Sequence, residues 1–443
     1  MPRLAGNAWL LPVFSSLARL AARIYYRVRF AGPAIPEAGP VLLVANHPNS
    51  LLDPTLVVAA GRRPVRFLAK APLFSDRKIG WLIRAAGAIP VYRRRDDPSL
   101  MARNDDSFDA VFQALGSGAA VGIFPEGVSH SEPSMAPLRT GAARIALGAV
   151  ASTGRAFPIV PIGLSFREKD IFRSDAFVVR AAPLQWGDLA SRGEDDVEAV
   201  RELTSRIDAA LRGVTVNLTD WEDRPIVEGA VRIWEAEHGT FSRVVERLER
   251  LEFTTRMLAE VRANGDGAGL ALAEDVKQHM RRMSRLGLRP SDLVADVGTG
   301  RGVFWAARRL YLAMPVAILL AAVGAALFWV PYQLTGVIVN RLNLLQDVRS
   351  TWKLLIGAVL YIVWLVILVS IAFATFGFVA ALSSALLIPT VAMSGLVVRE
   401  WWQSSLDDVR RFFLLRSRGS LIEKLRTEQQ DLAYRLKHLV QPT

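Results

Sequence analysis

Residues 41–53 read VLLVANHPNSLLD, an apolar run that passes directly into a histidine and, six positions later, an aspartate. Five consecutive apolar residues of this kind are typical of a strand buried on both faces. Pro48 biases His47 toward an extended conformation, so we expect the strand to end near His47 and a helix to begin just beyond it. Polar side chains at the end of a buried strand stand where α/β proteins carry out their chemistry.

Similar junctions recur along the chain. Residues 121–124 lead into Pro125-Glu126-Gly127, and residues 157–163 read FPIVPIG. Strand-like runs alternate with helical patterns such as residues 99–115 and 141–150; the runs are residues 41–45, 65–69, 88–92, 121–124, 159–164 and 177–181. This alternation predicts an α/β domain over residues 31–220, with a mixed sheet flanked by helices. Its strand ends are expected to form one active-site edge, so the chain is interpreted as an enzyme.

At 443 residues the chain is long enough for more than one domain. Residues 1–30 are predicted to form an amphipathic helix on a membrane surface, with arginines at near-helical spacing at positions 19, 23, 27 and 29. Residues 221–305 are predicted to form a helical insert, because leucines and valines recur there at three- and four-residue spacing.

The carboxyl-terminal part is interpreted as membrane-embedded over residues 306–400. Residues 354–398 carry no charged side chain, which predicts a hairpin of two spans that turns near residues 375–377. The apolar segment 310–339 contains Pro315 and Pro331, which allow a broken, re-entrant path. Residues 401–443 are predicted to be amphipathic helices that either lie on the membrane or pack on the protein.

Charge and composition narrow the partners. The net charge of +12 favours an anionic partner, and the lipid-like segments favour a phospholipid bilayer over nucleic acid, for which no recognition motif is found. Basic residues flank the hairpin on both sides, which predicts that both flanks and the catalytic domain lie on the cytoplasmic face. An Ala- and Arg-rich composition hints at a bacterial inner membrane. The absence of cysteine excludes disulfides, thiolate metal sites and cysteine nucleophiles.

His47 and Asp53 are the candidate catalytic pair. If they meet, Asp53 fixes the imidazole tautomer and His47 takes a proton from a hydroxyl group. A six-residue offset does not place them on one helix face, so a capping histidine and an ordinary helix aspartate remain open. A metal-dependent hydrolase is the weakest interpretation, because no second histidine clusters with His47, and no metal is expected.

Other strand ends carry candidate substrate-binding residues. Arg93 and Arg94 suit a phosphate dianion, although a surface charge run has the same appearance. Glu126 can hydrogen-bond a polyol hydroxyl and Gly127 allows close approach of a ligand, or the pair forms a simple turn. His130 is a weaker candidate base, because no partner for it is visible.

Four blocks in this order resemble the glycerolipid acyltransferase superfamily, which acylates glycerol-3-phosphate and lysophosphatidate. The blocks are residues 46–53, 89–93, 124–127 with 138–141, and 160–163. The resemblance implies His47 as general base, Asp53 as its orienting partner, Arg93 as a phosphate ligand with Arg94 and Arg139 as further candidates, and Glu126 and Gly127 in the acceptor site. Backbone N–H groups at the start of the helix after His47 are candidates for stabilising the oxyanion.

Departures from the common family pattern point to one branch. Most members have one fewer residue between the histidine and the aspartate, and many have a threonine-arginine pair in place of Val128 and Ser129. The longer spacing and residues 67–74, 214–217 and 350–353 resemble the fungal glycerol-3-phosphate/dihydroxyacetone-phosphate branch. This implies acylation of the sn-1 hydroxyl, the first step of phospholipid synthesis, with acyl-CoA or acyl carrier protein as co-substrate and no cofactor. The alternatives are acylation of lysophosphatidate and, outside enzymes, a lipid-binding membrane scaffold.

Overall fold

The computed structural model describes residues 10–77, 79–92, 99, 104–239, 244–294, 319, 322–324 and 326–440. Internal contacts divide the chain into two compact units. The first comprises Met1–Trp221, Ser242–Phe253 and Leu345–Thr351, and the second comprises Glu222–Phe241, Thr254–Leu344 and Trp352–Thr443.

The first unit contains a seven-stranded mixed sheet, which confirms the predicted α/β architecture. Its order is β1-β7-β6-β2-β5-β3-β4; only the β6–β7 pair is antiparallel. The strands are β1 (Arg27–Ala31), β2 (Val41–Ala45), β3 (Val65–Lys70), β4 (Ile89–Val91), β5 (Ala120–Ile123), β6 (Ile159–Phe166) and β7 (Asp175–Arg180).

Helices cover this sheet, and β2 lies at the centre of the core. Leu42 and Val44 of β2 are fully buried in an apolar cluster with residues of three helices, among them Val111, Ile145 and Leu203. Burial of each such side chain stabilises the fold by about 1.5–3 kcal/mol. The helices of this unit are α1 (Leu11–Tyr25), α2 (Leu52–Ala60), α3 (Pro72–Ser75), α4 (Gly80–Ala85), α5 (Asn104–Gly116), α6 (Gly141–Thr153) and α7 (Val197–Arg212).

The sheet register brings three loops to one edge. β2 pairs in parallel with β5 on one side and with β6 on the other, and Val44 is the partner of both Ile123 and Pro161. Because the carboxyl ends of parallel strands open at the same edge, the segments after β2, β5 and β6 converge there. These segments contain His47, Glu126 and Lys169, respectively.

The predicted amino-terminal helix of residues 1–30 is wrong at its carboxyl end. Helix α1 ends at Tyr25, and Arg27 and Arg29 lie in β1, an edge strand that pairs with β7. Arg27 forms an ion pair of 3.1 Å with Asp175, so these arginines serve the sheet edge. Within α1 an apolar face is retained, since Val13, Leu17 and Leu20 are exposed; residues 1–9 lie outside the described residues.

The remaining helices confirm a helical insert and an apolar carboxyl-terminal region. Ile233, Val276 and Leu432 are buried in a cluster formed by three of these helices. The helices are α8 (Arg224–Glu237), α9 (Val244–Ala263), α10 (Gly267–Leu286), α11 (Pro290–Val294), α12 (residues 326–341), α13 (Gln346–Phe376), α14 (Phe378–Ser417) and α15 (Gly419–Val440).

Two helices are long and apolar enough to cross a membrane. They are Gln346–Phe376, with a mean hydropathy of 2.9, and Phe378–Gly395, with 1.7; only 6% and 11% of these windows are buried. Buried core helices of soluble proteins are enclosed, whereas these are not. They are separated by Gly377, whose φ of +83° suits glycine, so a break between two helices falls within residues 375–377, where the turn was predicted. The break allowed at Pro331 is absent, because α12 continues through it; Pro315 lies outside the described residues.

Candidate active site

His47 and Asp53 meet although their spacing did not require it. His47 Nδ1 lies 2.8 Å from Asp53 Oδ2. The chain turns through Ser50, which has a φ of +49°, and Asp53 is the second residue of α2. The Asp53 side chain is fully buried, whereas that of His47 is 19% exposed. Residues 46–53, called here the dyad turn, therefore present a histidine to solvent with a buried carboxylate behind it.

The contact with Asp53 sets the tautomer of this histidine. An ionised carboxylate only accepts hydrogen bonds, so the contact places the proton on Nδ1 and leaves the lone pair of Nε2 for a substrate. Asn49 N donates a second bond of 2.6 Å to the same Oδ2. Burial raises the pKa of Asp53, and the bonds from His47 and Asn49 act against that rise. Asp53 Oδ1 is buried with no hydrogen-bond partner among the described residues, so the hydrogen bonds to this carboxylate come from these two donors.

An aromatic stack fixes the plane of the imidazole ring. The ring centroid of His47 lies 4.1 Å from that of Phe124, with an interplanar angle of 12°. Phe124 in turn stacks on Phe67 of β3, at 5.8 Å and 11°. Gly122 of β5 leaves the space for Phe67, because a Cβ there would lie 2.4 Å from the phenyl ring.

Glu126 joins the dyad turn to the segment after β5. Its side chain is buried; Oε1 accepts a bond of 2.8 Å from His47 N, and Oε2 accepts one of 2.7 Å from Ala136 N. Oε2 also pairs with His130 Nε2. The hydrogen bond to Glu126 raises the pKa of His130. Both oxygens are thus engaged by the protein, and the partner of His130 that the sequence did not reveal is Glu126.

The backbone donors of the dyad turn are occupied. Pro48 has no N–H group, and each other N–H group from residue 47 to 53 finds an acceptor. Their acceptors are Glu126 Oε1 for His47, Asp53 Oδ2 for Asn49, Ser129 Oγ for Ser50, Thr351 Oγ1 for Leu51, Asn49 O for Leu52 and Ser50 O for Asp53. The expectation that the first N–H groups of the helix are free for an oxyanion is therefore not met.

Comparison with known proteins agrees with this geometry. Residues 27–165 match the family model described as acyltransferase. Glycerol-3-phosphate O-acyltransferase 2 of Saccharomyces cerevisiae is 34% identical over 137 residues, which cover 30% of this chain and 18% of that protein. Glycerol-3-phosphate O-acyltransferase 1 of the same yeast is 26% identical over 357 residues, which cover 75% and 46% of the two chains. These matches show that residues 27–165 are similar to the acyltransferase family.

The name of a bacterial relative gives a different acceptor. The 1-acyl-sn-glycerol-3-phosphate acyltransferase of Bacillus subtilis is 27% identical over 186 residues, which cover 39% of this chain and 86% of that protein. The chain spans less than half of the length of the two yeast relatives.

Four of the residues singled out from the sequence come together: His47, Asp53, Glu126 and His130. Gly127 follows Glu126 with a φ of +71°, a conformation that favours glycine. Arg139 is exposed, and its Cγ lies 3.6 Å from where a Cβ of residue 127 would stand. Arg93 and Arg94 lie outside the described residues, so the phosphate roles of all three arginines remain predictions.

Sequence reasoning missed the residues that support the contact between His47 and Asp53. Gly122 inside a strand signals close approach of another group, and it receives Phe67. The four-residue offset between Glu126 and His130 was the available sign of their pairing. Asn49 gave no sign of its role. Within the described ranges, no group of three or more His, Asp or Glu side chains is placed to hold a metal ion.

Proposed function

We propose that the protein moves a fatty acyl group from an acyl thioester to the sn-1 hydroxyl of glycerol-3-phosphate or of dihydroxyacetone phosphate. The observation that carries the proposal is the His47–Asp53 contact of 2.8 Å at the exposed edge of the sheet. The names of the two yeast relatives support glycerol-3-phosphate as the acceptor.

The reaction follows from the free Nε2 of His47. This nitrogen takes the proton of the acceptor hydroxyl, while the hydroxyl oxygen attacks the carbonyl carbon of the thioester. The new C–O bond forms as the C–S bond breaks, and the leaving thiolate receives the proton from the imidazolium. Asp53 stabilises the imidazolium that forms between the two steps. No covalent enzyme intermediate and no cofactor are needed.

Substrate binding is assigned by the same proposal. Arg93, Arg94 and Arg139 hold the acceptor phosphate, because guanidinium groups match its geometry. Gly127 allows the acceptor to approach the backbone, and Glu126 holds the loops around it. The donor is acyl-CoA or acyl carrier protein. The apolar hairpin associates with a phospholipid bilayer, with the catalytic domain on the cytoplasmic face.

Lysophosphatidate is the second candidate acceptor. It is favoured by the match to the Bacillus subtilis protein, 86% of whose length is covered. The same dyad and phosphate ligands serve either acceptor, but lysophosphatidate brings an acyl chain that the site must also admit.

The test measures acyl transfer from long-chain acyl-CoA and acyl carrier protein to the three acceptors, in membranes with the wild type or His47→Ala. Transfer to glycerol-3-phosphate that is lost in His47→Ala but retained in His238→Ala, a change at an exposed histidine, supports the proposal. Transfer to lysophosphatidate alone replaces it with the second candidate. No transfer to any acceptor overturns both and favours the lipid-binding scaffold.

A further inference from the structure

Two hydroxyl side chains from a distant part of the chain lie against the dyad turn. Ser350 and Thr351 belong to the first turns of α13, the helix that continues as the first candidate membrane span. They are 0% and 8% exposed, respectively. Both lie in the same compact unit as His47 and Asp53, although about 300 residues separate them in sequence.

Thr351 supplies a hydrogen-bond acceptor for a backbone N–H group at the start of α2. Leu51 is the N-cap residue of α2 and makes no side-chain capping bond, since leucine has no polar group. Leu51 N instead donates to Thr351 Oγ1 at 3.2 Å. In a capping box, the N–H group of the N-cap residue is satisfied by a side chain of the same helix; here a side chain of another helix does so.

Ser350 holds the residue that donates to Asp53. Its hydroxyl lies 2.7 Å from Asn49 Oδ1 and 3.1 Å from the carbonyl oxygen of Lys169, so its proton is shared by two acceptors. Asn49 is fully buried, and its amide Nδ2 donates to Tyr26 Oη at 2.6 Å. With both ends of its side chain bound, Asn49 keeps its backbone N–H directed at Asp53 Oδ2.

An ion pair reinforces this attachment. Arg349, next to Ser350, lies 3.5 Å from Asp170 in the segment after β6. The pair is partly exposed to water, so we expect it to contribute little to stability. The buried hydroxyl contacts of Ser350 and Thr351 therefore determine how the start of α13 is attached to the dyad turn.

We propose that Ser350 and Thr351 are positioning residues of the acyltransferase site, which hold the dyad turn in its active geometry through Asn49 and Leu51. The proposal rests on the proposed function. Asp53 has only two donors within the described residues, and Ser350 fixes one of them through Asn49. Loss of the two hydroxyls then loosens the contact between His47 and Asp53. The two hydroxyls themselves do not contact the substrate in this proposal.

The kinetic test compares Ser350→Ala, Thr351→Val and their double variant with Thr351→Ser and Thr375→Val. Thr375 is the matched control, because it is exposed in the same helix and bonds only to Ile371 O of that helix. We expect kcat of the double variant to fall about 10- to 100-fold, with KM for the acceptor changed less than about twofold. Thr351→Ser and Thr375→Val are expected to retain wild-type kcat.

A second measurement is independent of activity. Amide hydrogen exchange over the dyad turn, followed by mass spectrometry in detergent, reports the Leu51 N–H bond directly. We expect this segment to exchange about tenfold or more faster in Thr351→Val, at unchanged membrane yield and Tm, but not in Thr351→Ser or Thr375→Val. Unchanged exchange, or faster exchange with unchanged kcat, overturns the proposal. A wild type that acylates no acceptor refutes the proposed function, and exchange alone then decides whether the hydroxyls hold the turn.

Discussion

At the residue scale, Asp53 is the most constrained group of the site. It is fully buried, and His47 and Asn49 are its donors. In Asp53→Asn, the carboxamide can adopt two orientations. In the first, its NH₂ group faces the N–H groups of His47 and Asn49, which are themselves donors. In the second, its neutral oxygen accepts the hydrogen bond from His47. The first arrangement disfavours the active tautomer, and the second stabilises the imidazolium less.

We therefore expect Asp53→Asn to lower kcat by about 10²- to 10⁴-fold, with a small change in KM for the acceptor. Steady-state kinetics in detergent micelles measures this. Asp188→Asn is the control, because Asp188 forms an exposed ion pair with Arg206. A variant that keeps more than half of the wild-type kcat shows that Asp53 does not orient the base.

His130 predicts a pH dependence with a defined sign. Its pKa is raised by the hydrogen bond to Glu126, so the folded protein holds the proton more tightly than the unfolded chain. The stabilisation is complete below about pH 6.5, the ordinary histidine pKa, and is lost as pH rises through the raised pKa of the folded state.

We expect the Tm of the wild type to exceed that of His130→Gln by the largest margin at low pH, and the margin to shrink as pH rises from about 6 to 9. Thermal melting in detergent measures it, and His238→Gln should show no such trend. A margin that is constant over this range excludes protonated His130 as a stabilising group.

At the scale of elements, β5 leaves space for a side chain of β3, because Gly122 of β5 has no side chain where Phe67 packs. Gly122 admits Phe67, Phe67 stacks on Phe124, and Phe124 stacks on His47. In Gly122→Ala, the methyl group meets the Phe67 ring and must displace it. We expect a loss of about 1–3 kcal/mol of unfolding free energy and a lower kcat, because the imidazole plane loses its support.

The matched control is Gly187→Ala, where a Cβ meets no atom within 4 Å. Gly122→Ala combined with Phe67→Leu should recover part of the stability, but not the kcat. If Gly122→Ala leaves both quantities unchanged, the stack does not orient His47.

The helices α10 and α15 enclose a second histidine, His279. Its pKa is shifted in the opposite direction from that of His130. His279 is fully buried, and neither ring nitrogen has a hydrogen-bond partner among the described residues. Glu428 Oε2 lies 3.6 Å from Nδ1, too far for a hydrogen bond, and Arg282 neutralises Glu428. Burial lowers the pKa of His279. The unfolded chain therefore binds a proton that the folded protein does not, and stability falls as pH drops through about 6.5.

We expect His279→Met, which keeps the volume and removes the titration, to reduce the loss of Tm between about pH 7 and pH 5. Differential scanning fluorimetry with wild type, His279→Met and His238→Met measures the slopes. Equal slopes in wild type and His279→Met contradict the prediction.

For the whole molecule, the apolar hairpin is the feature that separates this chain from a soluble enzyme. Val366 of α13 is 59% exposed within the first candidate span. An arginine at the centre of a span costs about 2.5–3.5 kcal/mol for insertion. We expect Val366→Arg to move much of the protein out of carbonate-washed membranes. Val294→Arg, at an exposed valine outside the spans, should leave the protein in the membrane fraction. If both variants stay in the membrane fraction, the two apolar helices are not the anchor.

How much the sequence predicts depends on how local the cause is. β2 and β5 were predicted because their apolar runs are continuous, whereas Arg27 and Arg29 at the sheet edge imitate a helical face. The two long apolar helices and the break between them at Gly377 followed from an uncharged stretch. The dyad was named from its motif, but its contact depends on the positive φ of Ser50, which spacing does not encode. The contact of Ser350 with Asn49 spans 301 positions, and no local pattern reports it.

The order of synthesis gives that last contact a further meaning. A ribosome adds about 5–20 residues per second, so Ser350 is made about 15–60 seconds after Asn49, which lies 301 positions earlier. During that interval the nascent catalytic segment lacks the hydroxyls that complete it. The missing hydroxyls are made only when the ribosome reaches the helix that contains the first candidate membrane span. We therefore expect the dyad turn to be completed only as the chain gains its first candidate membrane span.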